Sequence, residues 1–315
     1  MPRIVSLIAS ATEIVCALGF EDQLVGRSHE CDYPPSVRRL PVCTEPKFPV
    51  AGSSYEIDQR VKAILQEGLS VYRVQAEMLR QLQPDVIVTQ SHCEVCAVSL
   101  KDVEQAVCQW VDGRPRLVSL HPDALADVWQ SIRQVAVSLG ASQRGEELIH
   151  QLQHRIANIA EPVRSLAERP TVACIEWLEP LMAAGNWMPE LVELAGGVNL
   201  FGTAGRHAPW LQWSAVVAQN PDILILLPCG WDIDRCRREM PLLTRHPEWS
   251  SLRAVQAGRI YLTDGNQYFN RPGPRLVESL EILAELLHPH TFHFGHEGSG
   301  WQRWDITPAT NTGTR

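Results

Sequence analysis

The sequence predicts an α/β protein of two lobes, each built on a sheet of parallel type, joined by a long rigid helix and leaving a ligand cleft between them. Three observations predict it. Short Val/Ile/Leu runs alternate with helical patterns over the first 120 or so residues. A long helical stretch without a strand follows, and after Pro170 the alternation resumes.

In the first alternation, Arg3–Ile8, Leu24–Gly26, Val86–Thr89 and Arg116–Leu120 read as strands. Apolar runs bounded by turn residues mark parallel strands buried on both faces. Helical patterns over Thr12–Leu18, Ile57–Gln66, Val74–Leu82 and Ser99–Trp110 lie between them, which implies βαβ units. From Ala124 to about Glu168 the chain reads as helix apart from a break near Gly140, with Leu148, Leu152, Ile156 and Ile159 at helical spacing. The second alternation has strands Thr171–Ile175, Ile223–Leu227 and Arg259–Leu262. Its helices are Met188–Leu194, Ser214–Gln219, Ile233–Met240 and Pro274–Leu287. The expected division is a first lobe over 1–122, a helical spine over 123–169, a second lobe over 170–288 and a loose tail over 289–315, where periodicity ends. Two segments echo one another, Leu82-Gln83-Pro84-Asp85-Val86-Ile87-Val88 and Gln219-Asn220-Pro221-Asp222-Ile223-Leu224-Ile225, through a turn common enough in α/β proteins to recur by chance. Each reads as a helix end, a Pro-Asp turn and a buried strand, which favours a pseudo-duplicated chain.

Composition narrows the function classes. With 45% hydrophobic and 20% charged residues, the chain has ample core material. A net charge of −8 argues against nucleic-acid binding, since nothing would neutralise phosphates. No apolar run reaches the length of a bilayer span, so membrane insertion is not expected. The segment Ile4–Leu18 imitates a signal peptide, but removing it would delete the first strand. Nine cysteines, an odd count partly inside apolar patterns, suit buried free thiols. We therefore expect a cytoplasmic monomer, or a periplasmic one if the start site is misassigned.

Ligands in open α/β sheets bind beyond the carboxyl ends of strands, so the loops there are the candidates. The first carries Ala11 and Thr12 at a helix start suited to an anionic or polar group, where a simple Ser or Thr cap is the plainer reading. The second carries His29, Glu30, Cys31 and Tyr33, and the third Gln90, His92 and Cys93. In the second half the corresponding loops carry Glu176 and Trp177, then Cys229, then Tyr268, Phe269 and Asn270; Trp187 and Trp210 lie in nearby loops. Flat aromatic side chains beside Gly or Pro offer apolar area with a polar handle, suited to a planar ligand, and equally to local packing. Cys93-x-x-Cys96 with His29 and Cys31 could supply four ligands to zinc, although one CxxC without a second pair is a weak signal. A thioredoxin-like motif fits the position of Cys93 but not the intervening Glu94-Val95. No Gly-x-Ser-x-Gly elbow, P-loop, HExxH or dinucleotide fingerprint occurs, so an enzyme is not expected; the alternative is a metal-dependent or thiol enzyme using the Cys/His loops.

The segments Arg3-Ile4-Val5-Ser6-Leu7, Thr12-Glu13-Ile14, Asp32-Tyr33-Pro34, Pro221-Asp222 and Pro272-Gly273-Pro274-Arg275 resemble the helical-backbone solute-binding proteins that serve bacterial importers of iron-siderophores and vitamin B12. Ser28-His29-Glu30-Cys31-Asp32-Tyr33-Pro34, Cys93-Glu94-Val95-Cys96 and Tyr268-Phe269-Asn270-Arg271 are similar to a leaderless, cobalamin-binding branch. The resemblance implies two α/β lobes joined by one long helix, a corrinoid or related metal chelate as bound ligand, and an ABC permease as partner. It further implies an aromatic against the ligand at Tyr268, with Glu30, Glu45 and Gln90 where relatives carry first-lobe aromatics. Relatives dock on the permease through one glutamate per lobe, and Asn270 stands at the second-lobe position.

Overall fold

A computed structural model describes residues 1–66, 71–90, 100–108 and 115–305. The chain forms two compact units. Unit 1 comprises Met1–Ile159, Ala204–Arg206 and Arg271–Ser279; unit 2 comprises Ala160–Thr203, His207–Asn270 and Leu280–Arg315.

Unit 1 runs β1 (Ile4–Ser6), α1 (Ala9–Ala17), β2 (Leu24–Arg27), β3 (Thr44–Pro46), α2 (Ser54–Gln66), β4 (Tyr72–Val74) and α3 (Ala76–Leu82). It continues with β5 (Val86–Gln90), α4 (Leu100–Cys108), β6 (Arg116–Leu120), α5 (Leu125–Ser138) and α6 (Ser142–Val163), the last crossing into unit 2 after Ile159. Its main sheet has the order β2-β1-β5-β6 with every pair parallel. The apolar runs explain the order: β1 and β5 are central and buried along their whole length. Helix α5 packs on α1 and β6 through Val128, Ile132, Val135 and Ala136, all fully buried at helical spacing. Gly140, at φ +68°, ends that helix where no side chain is tolerated well, and the chain turns directly into α6. Gly145 lies where a Cβ would come within 2.6 Å of the Ala136 side chain, so the two helices meet there at backbone range.

Strands β3 and β4 pair antiparallel in a separate two-stranded sheet. The sequence pattern places Val74 in a helix, yet Val74 pairs with Thr44 and the helix begins at Ala76. Local periodicity lost to pairing with a segment about 30 residues away. The pair covers a core of Cys43, Val71, Tyr72, Val74 and Leu79.

Unit 2 contains β7 (Thr171–Trp177), β8 (Met182–Ala183), α7 (Met188–Leu194), β9 (Val198–Asn199), α8 (Trp213–Gln219) and β10 (Ile223–Leu226). It ends with α9 (Ile233–Glu239), α10 (Pro241–Thr244), α11 (Arg253–Gln256), β11 (Ile260–Thr263), α12 (Leu276–Leu287), whose first four residues belong to unit 1, and β12 (Trp301–Arg303). The sheet order is β12-β11-β10-β7-β8, with β9 also on β7. Its middle strands are parallel, and β8 and β12 are antiparallel. No periodicity predicts β12, which lies in the segment expected to be loose. It is held by pairing with β11 and by Glu285, whose carboxylate accepts from the backbone N–H groups of Phe294 and Gly295 and from Trp301 Nε1.

The echoed segments share one device. Gln83 and Asn220 end their helices in the left-handed region, at φ 43° and 48°. Proline follows, and the next residue turns its carboxylate to the start of the neighbouring strand. Asp85 Oδ2 accepts from Arg3 N at 2.7 Å, and Asp222 Oδ2 from Thr171 N at 2.8 Å. In return Asp85 N donates to Arg3 O and Asp222 N to Thr171 O. Each unit registers its central strand pair in this way.

Candidate functional site

Beyond the carboxyl end of β1, Ala11 and Thr12 are fully buried within the first turns of α1. Thr12 Oγ1 lies 2.8 Å from Ser6 Oγ and 3.0 Å from Cys31 Sγ, which ties β1, α1 and the loop after β2 together. Cys31 is 1% exposed, and burial pushes its thiol up to about 12 against the opposing Thr12 hydrogen bond. It is a neutral thiol braced by its neighbours.

His29 points elsewhere. Its Nδ1 lies 2.7 Å from Thr44 Oγ1, at the start of β3, and Tyr72 of β4 tilts against the ring at 4.9 Å. Burial, with the positive charge of Arg27, lowers its pKa to about 4, so the imidazole is neutral. The antiparallel β3–β4 pair therefore builds this part of the site. Glu30 accepts from the Tyr72 hydroxyl at 2.9 Å, and desolvation raises its carboxyl pKa although its side chain stays partly open. Gln90 ends β5 at 3% exposure, and its Oε1 has no partner among the described residues. Tyr33 is 38% exposed, with the Arg275 guanidinium 3.9 Å over its ring. His92, Cys93 and Cys96 lie outside the described residues. Of the four expected zinc ligands only His29 and Cys31 are described, and their side chains bond to different partners. Among the described residues no group of three or more His, Cys, Asp or Glu side chains could hold a metal.

Sequence reasoning gave no role to the charge cluster beside this loop. Arg271 Nη1 bonds Glu13 Oε1 at 3.2 Å and Asp32 Oδ1 at 2.7 Å. Arg275 lies 3.7 Å from Glu13 and 3.1 Å from Glu278. Glu13 is 3% exposed and each arginine 7%. Three carboxylates share two guanidiniums, and burial raises Glu13 to about 7 despite both arginines. Gly273 lets the segment lie close: a Cβ there would come within 3.3 Å of Ser10 O. The Arg271-Pro272-Gly273-Pro274-Arg275 motif was visible, but a contact across 258 residues is not readable from spacing.

In unit 2, Glu176 and Trp177 end β7 half-buried. Trp177 meets Trp231, the next loop's buried aromatic, at 5.0 Å and 51°, and Arg235 covers Trp231 at 4.4 Å. Cys229 is half-buried, and its N–H donates to Glu176 O at 3.3 Å. Trp187 is 6% exposed and donates from Nε1 to Phe269 O at 2.7 Å; Phe269 is 1% exposed at φ 66°. These two residues are the packed base of the loop after β11. Asn270 donates from Nδ2 to Leu227 O and Gly265 O, at 3.0 and 2.9 Å, bracing that loop against the end of β10. Tyr268 is half-buried, with His296 edge-on at 6.0 Å, and Trp210 is 57% exposed. In each unit, then, several of these side chains lie in loops that follow the carboxyl ends of parallel strands.

The chain is 24% identical over 298 residues to an uncharacterized ABC transporter substrate-binding lipoprotein, YvrC, of Bacillus subtilis, covering 92% of this chain and 81% of the relative. It is 23% identical over 297 residues to a vitamin B12-binding protein of Vibrio cholerae, covering 90% and 88%. Among solved structures it resembles the apo periplasmic heme-binding protein RhuT of Roseiflexus sp. RS-1, with a TM-score of 0.68, 25% identity and coverage of 91% of this chain and 98% of that one. A family model described as periplasmic binding protein matches residues 4–267, most of the length of the sequence, and the chain belongs to that family.

Proposed function

We propose that this protein is a solute-binding protein of the ABC-import type whose ligand is a corrinoid or a related planar metal chelate. The observation that carries the reading is the set of side chains after the strands of each unit: a neutral imidazole, open carboxyl and phenol in unit 1, and half-open indole and phenol groups in unit 2. A planar macrocycle with polar edges and a metal centre asks for both. The names of relatives matched over nine tenths of this chain, which include a vitamin B12-binding protein, support it. In this proposal the candidate ligand-binding side chains are His29, Glu30, Tyr33 and Gln90 of unit 1 and Glu176, Trp177, Cys229, Tyr268 and Trp210 of unit 2. Ala11, Thr12, Cys31, Trp187, Phe269 and Asn270 hold those loops in shape. Binding rather than catalysis is proposed because Cys31, the thiol of the loop after β2, is neutral and enclosed. Use of a permease is part of the proposal, without a docking glutamate at Asn270.

The test is a titration with hydroxocobalamin, cobinamide and hemin, following tryptophan fluorescence and ligand absorbance. Saturable quenching at micromolar ligand by at least one of them is expected. Flat titrations with all three would end the reading.

A further inference from the structure

The strongest unassigned feature is the free edge of a histidine whose other edge is fixed. Thr44 Oγ1, fully buried, accepts from the backbone N–H of His29 at 3.1 Å and donates to Ser28 Oγ at 3.1 Å. Ser28 Oγ in turn accepts from the N–H of Glu30 at 3.3 Å. Nδ1 lies 2.7 Å from the same oxygen, and in the arrangement where the threonine proton goes to Ser28 the imidazole donates from Nδ1 to Thr44. The proton-free lone pair is then on Nε2. That atom has no hydrogen-bond partner among the described residues; the nearest charged group is Glu30 Oε1 at 4.0 Å, and the side chain is 23% exposed. Tyr72 holds the ring from one side, with its hydroxyl occupied by Glu30. A neutral imidazole with one nitrogen donating to an oxygen and the other bare is the arrangement that presents nitrogen to a metal.

Resting on the proposed binding of a metal chelate, we infer that His29 Nε2 is an axial ligand to the metal centre of the bound macrocycle, and that Thr44 is the positioning residue that sets its tautomer. The step is ligand exchange without redox change: Nε2 forms a bond to cobalt(III) or iron(III), and a water or other labile axial ligand leaves. One nitrogen edge serves either source, since a corrinoid and a porphyrin both offer open axial positions. The Glu30 carboxyl beside it would accept a hydrogen bond from the macrocycle's edge or from the displaced water.

The experiment uses the full chain with two probes, hemin and diaquocobinamide, read by absorbance and, for iron, by electron paramagnetic resonance. The wild type should give a nitrogen-ligated spectrum with at least one probe. His29→Ala should lose that signature, and added imidazole should restore it. Thr44→Val should weaken affinity by about 10-fold or more while Thr44→Ser restores it, as outer-shell partners of ligating histidines do. Circular dichroism of each variant separates loss of ligation from loss of fold; if His29→Ala does not fold, His29→Gln takes its place. Binding by the wild type with a spectrum unchanged in the His29 variant overturns the axial-ligand inference and leaves the proposed function standing. No binding of either probe by the wild type overturns both.

Discussion

Glu13 offers the sharpest test of the electrostatics. It is buried among two arginines that would ordinarily hold a carboxylate below its usual range, yet burial dominates and its pKa rises from 4.5 to about 7. Desolvation is the largest cause, and the charge of Glu278, which also pairs with Arg275, adds to it. The sign follows from linkage. Between about pH 4.5 and 7 the folded protein binds a proton that the unfolded chain has released, so this group's contribution is best at low pH and declines as pH rises. The full decline, 2.5 pH units wide, amounts to about 3 kcal/mol; between pH 5.5 and 8 it is about 2 kcal/mol. Urea denaturation of the wild type and of Glu13→Gln at both pH values, followed by far-ultraviolet circular dichroism, isolates the group as a double difference. The amide keeps the shape and the neutral state, so Glu13→Gln should gain about 2 kcal/mol on the wild type as the pH is raised. A double difference within about 0.5 kcal/mol of zero, or of opposite sign, would refute the view that burial outweighs the arginines. A carbon-13 titration of the Glu13 carboxyl should show its midpoint near 7.

Three further outcomes are expected. Trp187→Phe leaves the Phe269 carbonyl without its buried donor and should cost about 1–3 kcal/mol, read as a lower urea midpoint. Gly265→Ala should destabilise unit 2 severely, by more than about 3 kcal/mol, because a Cβ there would run into the Pro228 carbonyl; soluble expression with an unchanged midpoint would contradict this. With iodoacetamide at pH 8, Cys31, Cys43 and Cys174, whose thiols are pushed up to about 12, should stay unmodified in the native protein while half-buried Cys229 reacts, as peptide mass spectrometry would resolve.

The central strand β5 is legible because burial on both faces writes itself as continuous apolar residues, so that Val86–Thr89 falls within one residue of it, and the edge strand β6 coincides with the run Arg116–Leu120 although it is only partly buried. Turn chemistry was legible for the same reason, and the two Pro-Asp junctions share hydrogen bonds as well as letters. Strands β3 and β4 were not, because three residues carry no period and only their pairing makes them strands. In the site, His29 and Glu30 were visible as residue types after a strand, whereas Thr44 and Tyr72, which orient them, sit on that unread pair. Trp187 looked like a loop aromatic; its enclosure depends on Phe269, 82 residues on. Tertiary distance, not residue type, is what the sequence withholds.

The residues that pair with Glu13 come from Arg271–Ser279, a piece of chain that belongs to unit 1 though synthesised after most of unit 2. A ribosome that has released only the first 160 residues has therefore made a unit with an ionisable group awaiting its counterions and a surface on α1 awaiting its cover. Cutting the gene at the apparent midpoint would preserve every strand of the first sheet and still yield an unfinished body. Only when Arg271–Ser279 emerges is the first unit closed, which makes its co-translational completion hostage to a segment more than 100 residues downstream of Ile159.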